Sequence, residues 1–129
     1  QEVGNLVGAP IGNKVTRWAP VEMAERVSQP TLFIMAENEE LFSNELTGIK
    51  ACEMVTGPRK AIMIPDIAHY GIYGAERELA IKTAIDWFDR YLKPEGASTR
   101  IPVDRSEPER GDCRAPFVRP PGVGAPATQ

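Results

Sequence analysis

Two short apolar runs, separated by one segment of helical length, constrain the fold of this chain more than any other feature. Residues 31–36 are almost continuously apolar, and residues 60–64 form a second run that Pro65 stops. Runs of this length without alternation are typical of strands buried on both faces of a parallel sheet. The segment between them has a loose helical spacing that begins at Asn44, the predicted N-cap, and stops at Gly57. The pattern predicts a βαβ unit and therefore the α/β class.

Helices are predicted on both sides of this unit. Pro20 suits the first position of a short helix that Gln29-Pro30 ends. The clearest helical pattern runs from about residue 75 to 92. We expect its apolar face to pack across the sheet, and that face consists of Ile81, Ala84, Ile85, Phe88 and Leu92.

The chain divides into three parts by composition. Residues 1–16 are rich in Gly and Asn and have no regular periodicity, which predicts an irregular segment. Residues 17–93 contain all the predicted elements. Residues 94–129 hold seven of the 12 prolines. They are predicted to be a non-globular tail, either disordered or extended along a partner or along the body of the fold.

Charge and hydropathy exclude several classes of function. The formal charge of -3 and the scattered Lys and Arg residues give no basic surface for nucleic acid. No apolar run approaches the roughly 18 residues that span a bilayer, so we expect a soluble protein without membrane insertion. A cytoplasmic location is favoured over a periplasmic or secreted one. Cys52 is expected to be a buried thiol in a helix and Cys113 an exposed thiol in the tail; the alternative, a bridge between them, would require an oxidising compartment.

An acid and the only histidine of the chain follow the two predicted strands. Glu39 comes just after the first strand and His69 just after the second, 30 residues later. Loops at the carboxyl ends of adjacent parallel strands lie at the same edge of a sheet, so these side chains are expected to meet. A carboxylate beside an imidazole fixes its tautomer and stabilises the imidazolium that forms when a nucleophile is activated. Glu40 is the nearest alternative for the acid, whereas Tyr70 and Tyr73 are interpreted as packing aromatics.

Several pieces of the sequence resemble dienelactone hydrolase-like and related esterase-type α/β-hydrolases. The matching pieces are the acid-bearing strand and turn (30–42), the histidine loop (64–73) and the closing helix (84–92). The resemblance covers roughly residues 17–93 and implies the C-terminal portion of an α/β-hydrolase parallel sheet, with Glu39 as the acid and His69 as the base. Two positions depart from the family pattern: the acid is more often Asp, and Asp66 stands where Gly is frequent.

A nucleophile is missing from this pattern. The family places it upstream of the acid, on a Gly-x-Ser-x-Gly turn or its Cys variant, and Ser28, Ser43, Ser98 and Ser106 lie in no such motif. Cys113 lies in Gly111-Asp112-Cys113-Arg114-Ala115, but it follows the histidine and polar residues precede it. The expected nucleophile, Ser or Cys, therefore lies outside this chain.

Three functional hypotheses follow from the sequence. In the first, the chain supplies acid and base to an ester- or lactone-cleaving enzyme; its partner is the missing N-terminal half or a partner subunit, and no cofactor is required. In the second, it is a catalytically inactive structural or interaction subunit that binds a larger assembly through its tail. In the third, it is a small βαβ binding module, although no phosphate loop or dinucleotide fingerprint occurs.

Overall fold

The computed structural model describes residues 19–92 and 110–120, together with residues 122 and 124. The predicted irregular segment 1–16 and most of the predicted tail 94–129 lie outside these residues. Two strands and two α-helices alternate along the chain: β1 (Thr31–Asn38), α1 (Gly48–Met54), β2 (Arg59–Ala68) and α2 (Arg77–Leu92). Short 3₁₀ helices span Pro20–Arg26 and His69–Ile72. The architecture belongs to the α/β class.

The strands β1 and β2 pair in parallel, from Thr31 opposite Arg59 to Asn38 opposite Ala68. β2 continues four residues beyond Ile64, the last residue of the predicted run, and so includes Pro65. The pairing is irregular there, because Ala36 faces Ile64 whereas Asn38 faces Ala68, which leaves additional residues on β2. Proline is tolerated in a strand at such a bulge because the ladder does not need its missing N–H group.

The two helices lie on opposite faces of the sheet. Met35 points toward α1, where a Cβ on Gly48 would lie only 2.6 Å from its sulfur. The next residue, Ala36, points the other way and forms the core with Ile64 and Leu79. Successive side chains of a strand alternate between faces, so the sheet is covered on both sides. Gly48 thus permits close packing of α1, and the helix begins there rather than at Asn44.

The buried face of α2 differs from the predicted one. Its buried residues are Leu79, Ala80, Thr83 and Trp87. The predicted apolar face is largely exposed instead, with Ile81, Ile85, Phe88 and Leu92 at 45%, 50%, 56% and 73%. The helix therefore carries apolar residues on two sides. The prediction that the regularly spaced side packs on the sheet is wrong, because that side is the exposed one.

The described part of the proline-rich segment lies along the body of the fold. Arg110 forms a bridge with Arg59 at the start of β2, and the N–H group of Gly111 donates to the carbonyl of Arg59 at 2.9 Å. Cys113 is bonded to Cys52 of α1. The expectation of two free thiols is therefore wrong. The segment ends on the other face, where Phe117 packs against the core.

Candidate active site

The loops at the carboxyl ends of β1 and β2 bring the predicted acid and base together. Oε2 of Glu39 lies 2.7 Å from Nδ1 of His69. Glu39 directly follows β1, and His69 directly follows β2 and begins a 3₁₀ helix. Because the parallel pairing resumes after the bulge, with Asn38 opposite Ala68, the sheet itself sets the distance between the two loops.

The Glu39 carboxyl is held in a way that favours its charged form. Its side chain is only 5% exposed, and Oε1 accepts a hydrogen bond from the N–H group of Leu41 at 2.9 Å. Burial acts to raise the pKa of this carboxyl, but the hydrogen bonds with His69 and Leu41 and the nearby imidazole charge outweigh it. The pKa of Glu39 is lowered as a result.

Two further acidic residues, Glu37 at the end of β1 and Glu40 in the loop after it, accept hydrogen bonds from the backbone of the histidine loop (residues 64–73). Oε2 of Glu40 accepts from the N–H group of His69 at 3.0 Å. Oε2 of Glu37 accepts from the N–H group of Asp66 at 3.1 Å. Of the two acids considered from the sequence, Glu39 contacts the imidazole and Glu40 contacts only the backbone. Residues 37–40, called the acidic turn below, therefore contact the histidine loop at three separate points.

Asp66 has a backbone conformation that few residue types adopt. Its φ angle is 60°, in the left-handed region. Glycine adopts this region without steric cost, and Asp tolerates it better than most side chains do. The backbone at position 66 therefore favours Gly, and Asp is an acceptable residue there.

The imidazole of His69 is oriented by aromatic rings and opens to a pocket. The rings of Phe42 and Tyr70 meet it edge-on, with centroids 5.6 Å and 4.9 Å away. Its Nε2 atom has no hydrogen-bond partner among the described residues, and the side chain is 24% exposed. A pocket of about 210 Å³ borders it, bounded by β1, Phe42 and Tyr73. Tyr70 and Tyr73 are 67% and 70% exposed, so neither belongs to the buried core, although the Tyr70 ring contacts His69 and Tyr73 lines the pocket.

No nucleophile completes the arrangement within the described part of the chain. The pocket lining there contains neither serine nor cysteine. Cys113 has no thiol to offer because it forms the disulfide with Cys52. Ser43 lies in the turn before α1, where its hydroxyl accepts from the N–H group of Leu46. Ser98 and Ser106 lie outside the described residues.

Two supporting residues were not identified from the sequence. Asn44, predicted as an N-cap, instead donates from Nδ2 to the carbonyl of Ala36 at 2.7 Å, which holds the acidic turn against β1. Glu76 is 4% exposed and pairs with Arg119, 43 residues away. The buried charge at Glu76 had no local signal, since its partner lies in the proline-rich segment.

Comparisons with protein-family models, with curated proteins and with solved structures found no match to this chain. Over the ranges that the structure describes, His, Cys, Asp and Glu side chains form no group of three or more that could hold a metal ion. In the same ranges, every helix is too short or too polar to span a membrane.

Proposed function

We propose that this chain is the C-terminal part of an α/β-hydrolase that cleaves esters or lactones with a nucleophile, histidine and acid triad. The observation that carries the proposal is the 2.7 Å contact between Glu39 and Nδ1 of His69, with Nε2 directed away from that bond and unpartnered among the described residues. The acid and the base come from this chain. The nucleophile comes from a segment that precedes it in the intact enzyme.

The chemistry follows from the tautomer of the imidazole. A charged carboxylate at Nδ1 keeps the proton there, which leaves Nε2 free to accept a proton from a serine hydroxyl or a cysteine thiol. The nucleophile then attacks the carbonyl carbon of the substrate. Nε2 returns the proton to the leaving oxygen, and the imidazolium present between these steps is stabilised by the Glu39 carboxylate. The lowered pKa of Glu39 supports this role because the carboxylate stays charged near neutral pH.

The two edges of the sheet support the placement of the missing part. The outer edge of β2 is partly covered at its start by Arg110 and Gly111. In the described residues, β1 pairs only with β2, and its other edge borders the pocket beside His69. Uncovered strand edges present unpaired N–H and C=O groups and are seldom left long and apolar. Further strands beside β1 would cover this edge and bring a nucleophile to the pocket.

The alternative of an inactive subunit that binds an assembly through its tail has less support. Residues 110–120 are joined to the body by the disulfide and by the ion pair of Arg119 with Glu76. A segment held in this way is not available as a free binding arm. A catalytically inactive subunit would also not require the contact between Glu39 and the imidazole of His69.

The decisive experiment compares three variants in the intact enzyme, in which this chain is joined to its preceding half. We expect His69→Ala to abolish cleavage of p-nitrophenyl acetate. Glu39→Gln should lower kcat by about 10²- to 10⁴-fold, because an amide cannot hold the imidazole in the same tautomer and charge state. Glu40→Gln is the matched control, because the amide oxygen of Gln can still accept from the N–H group of His69 and the imidazole contact is untouched. Its kcat should stay within a few-fold of wild type. Full activity in His69→Ala would overturn the proposal.

A further inference from the structure

The segment 110–120 crosses the fold, and near its end Arg119 contacts Glu76, a buried acid that follows the histidine loop. It is attached to α1 by the bond between Cys113 and Cys52. On the other face, Phe117 packs against the core cluster that includes Ile67 and Leu79. Arg119 then forms two hydrogen bonds with Glu76, at 2.6 Å and 3.0 Å.

Glu76 connects this segment to the turn that carries His69. Its backbone N–H group donates to the carbonyl of Gly71 at 3.0 Å, and Gly71 belongs to the same 3₁₀ helix as His69. Gly71 itself is tightly packed, because a Cβ there would lie 2.6 Å from the Cβ of Ile67. The turn therefore has little room to adjust, and a shift at Glu76 would be passed to it directly.

The burial of Glu76 makes this connection depend on Arg119. The Glu76 side chain is only 4% exposed, and Arg119 is its counter-charge. The guanidinium is also placed over the ring of Phe117, at 5.5 Å from its centroid. Removing one partner of a buried ion pair leaves an uncompensated charge and is strongly destabilising. Without Arg119, this destabilisation acts at the start of α2, where the N–H group of Glu76 contacts the carbonyl of Gly71.

We propose that Arg119 is a positioning residue for the catalytic base: through Glu76 and Gly71, it fixes the turn that presents His69 to Glu39. The proposal rests on the proposed function in that His69 is taken to be the base. The proline-rich segment then has a role within the active enzyme. Its charged pair acts on the histidine loop through Gly71, whereas the acidic turn contacts that loop at Asp66 and His69.

Arg114 provides a matched control in the same segment. It also bridges the segment to the body, through Glu45 and Glu53 near and within α1. Its side chain is 52% exposed, and neither partner contacts the histidine loop. Arg114→Gln and Arg119→Gln each remove one arginine from the same segment, but only the second acts on the turn of His69.

The first test uses the 129-residue chain and proton NMR. His69 is the only histidine, so a single Nδ1 proton, hydrogen-bonded to Glu39, should appear downfield of the amide protons. We expect Arg119→Gln to broaden or remove this signal and to speed exchange of the His69 and Glu76 amides by about tenfold or more. Arg114→Gln should leave the signal and both exchange rates at wild-type values. An unchanged signal in Arg119→Gln, or an equal effect of both variants, would overturn the proposal.

Two further variants distinguish loss of the charge pair from general unfolding of the chain. Arg119→Lys keeps the charge and should retain the Nδ1 proton signal with intermediate amide exchange. Glu76→Gln combined with Arg119→Gln removes the unpaired buried charge and should restore part of the amide protection lost in Arg119→Gln alone. Loss of the signal in Arg119→Lys equal to that in Arg119→Gln, or no recovery in the double variant, would contradict positioning through the charge pair.

Activity of the intact enzyme separates this proposal from the proposed function. Arg119→Gln should lower kcat by about tenfold or more while KM changes little, because no residue of the segment 110–120 lines the pocket beside His69. If the intact enzyme has no ester-cleaving activity, the proposed function is refuted. The NMR experiment then still tests whether Arg119 positions the turn of His69. An active enzyme in which Arg119→Gln has wild-type kcat would refute the positioning role alone.

Discussion

Removal of the disulfide should cost this protein a large part of its stability. Cys52 and Cys113 are 61 residues apart, so the bond closes a loop that includes β2, the histidine turn and α2. Cross-linking a loop of that length lowers the entropy of the unfolded chain, which corresponds to about 4.3 kcal/mol at 25 °C. Small domains have a total stability of only about 5–15 kcal/mol. The Cys52→Ala, Cys113→Ala double variant should therefore be close to unfolding at physiological temperature.

Urea denaturation measures this effect directly. With a denaturant slope of about 1.5 kcal/mol per M, the midpoint should fall by roughly 3 M in the double variant. Dithiothreitol should lower the midpoint of the wild type by a similar amount and leave the double variant unchanged. A loss below about 1 kcal/mol, or equal sensitivity of both proteins to dithiothreitol, would refute the reasoning that the cross-link restricts the unfolded chain.

Three more predictions test the core, the bulge and the acid. Leu79→Ala should cost about 2–5 kcal/mol in urea denaturation because Leu79 is fully buried, whereas Ile81→Ala, on the exposed side of α2, should cost less than about 1 kcal/mol; equal losses would contradict the observed helix face. Asp66→Val should lose about 1–2 kcal/mol because φ is positive, and Asp66→Gly should stay within about 0.5 kcal/mol of wild type; equal stability of the two variants would argue against the left-handed backbone. The pKa of Glu39 is lowered in the folded state, so its carboxylate contributes stability above the ordinary glutamate pKa, roughly 4, and the contribution disappears as pH falls through the folded pKa. The difference in Tm between wild type and Glu39→Gln should therefore shrink below about pH 4, and a difference that is constant from pH 7 to 3 would contradict this.

The site was more accessible to sequence reasoning than the packing around it. Glu39 and His69 each come within a few residues of the end of an apolar run, and the ends of adjacent parallel strands share an edge, so their proximity could be expected from local pattern. The roles of Glu37 and Glu40 could not. A run of acidic residues looks the same in sequence whether each carboxylate faces solvent or accepts from a particular backbone N–H group, as it does here.

The helix α2 shows the limit of periodicity. Its apolar residues lie on two sides, and the side with the more regular spacing is the exposed one. Helical spacing identifies the residues that share a face, but the neighbouring sheet decides which face is buried. The same limit applies to Asn44, which could serve as a cap by its residue type. It instead donates to the carbonyl of Ala36, a contact made when the turn folds back on β1.

The sequence by itself determined the order of elements, the parallel pairing and the placement of Glu39 and His69, because these depend on local hydrophobic pattern and on the geometry of adjacent strands. The tertiary structure alone decided the bond between Cys52 and Cys113 and the burial of Glu76 beneath Arg119. Both contacts join residues more than 40 positions apart, and nothing in the local sequence specifies a partner at that distance. Their formation depends on the path of the proline-rich segment across the sheet, which only the packed core fixes.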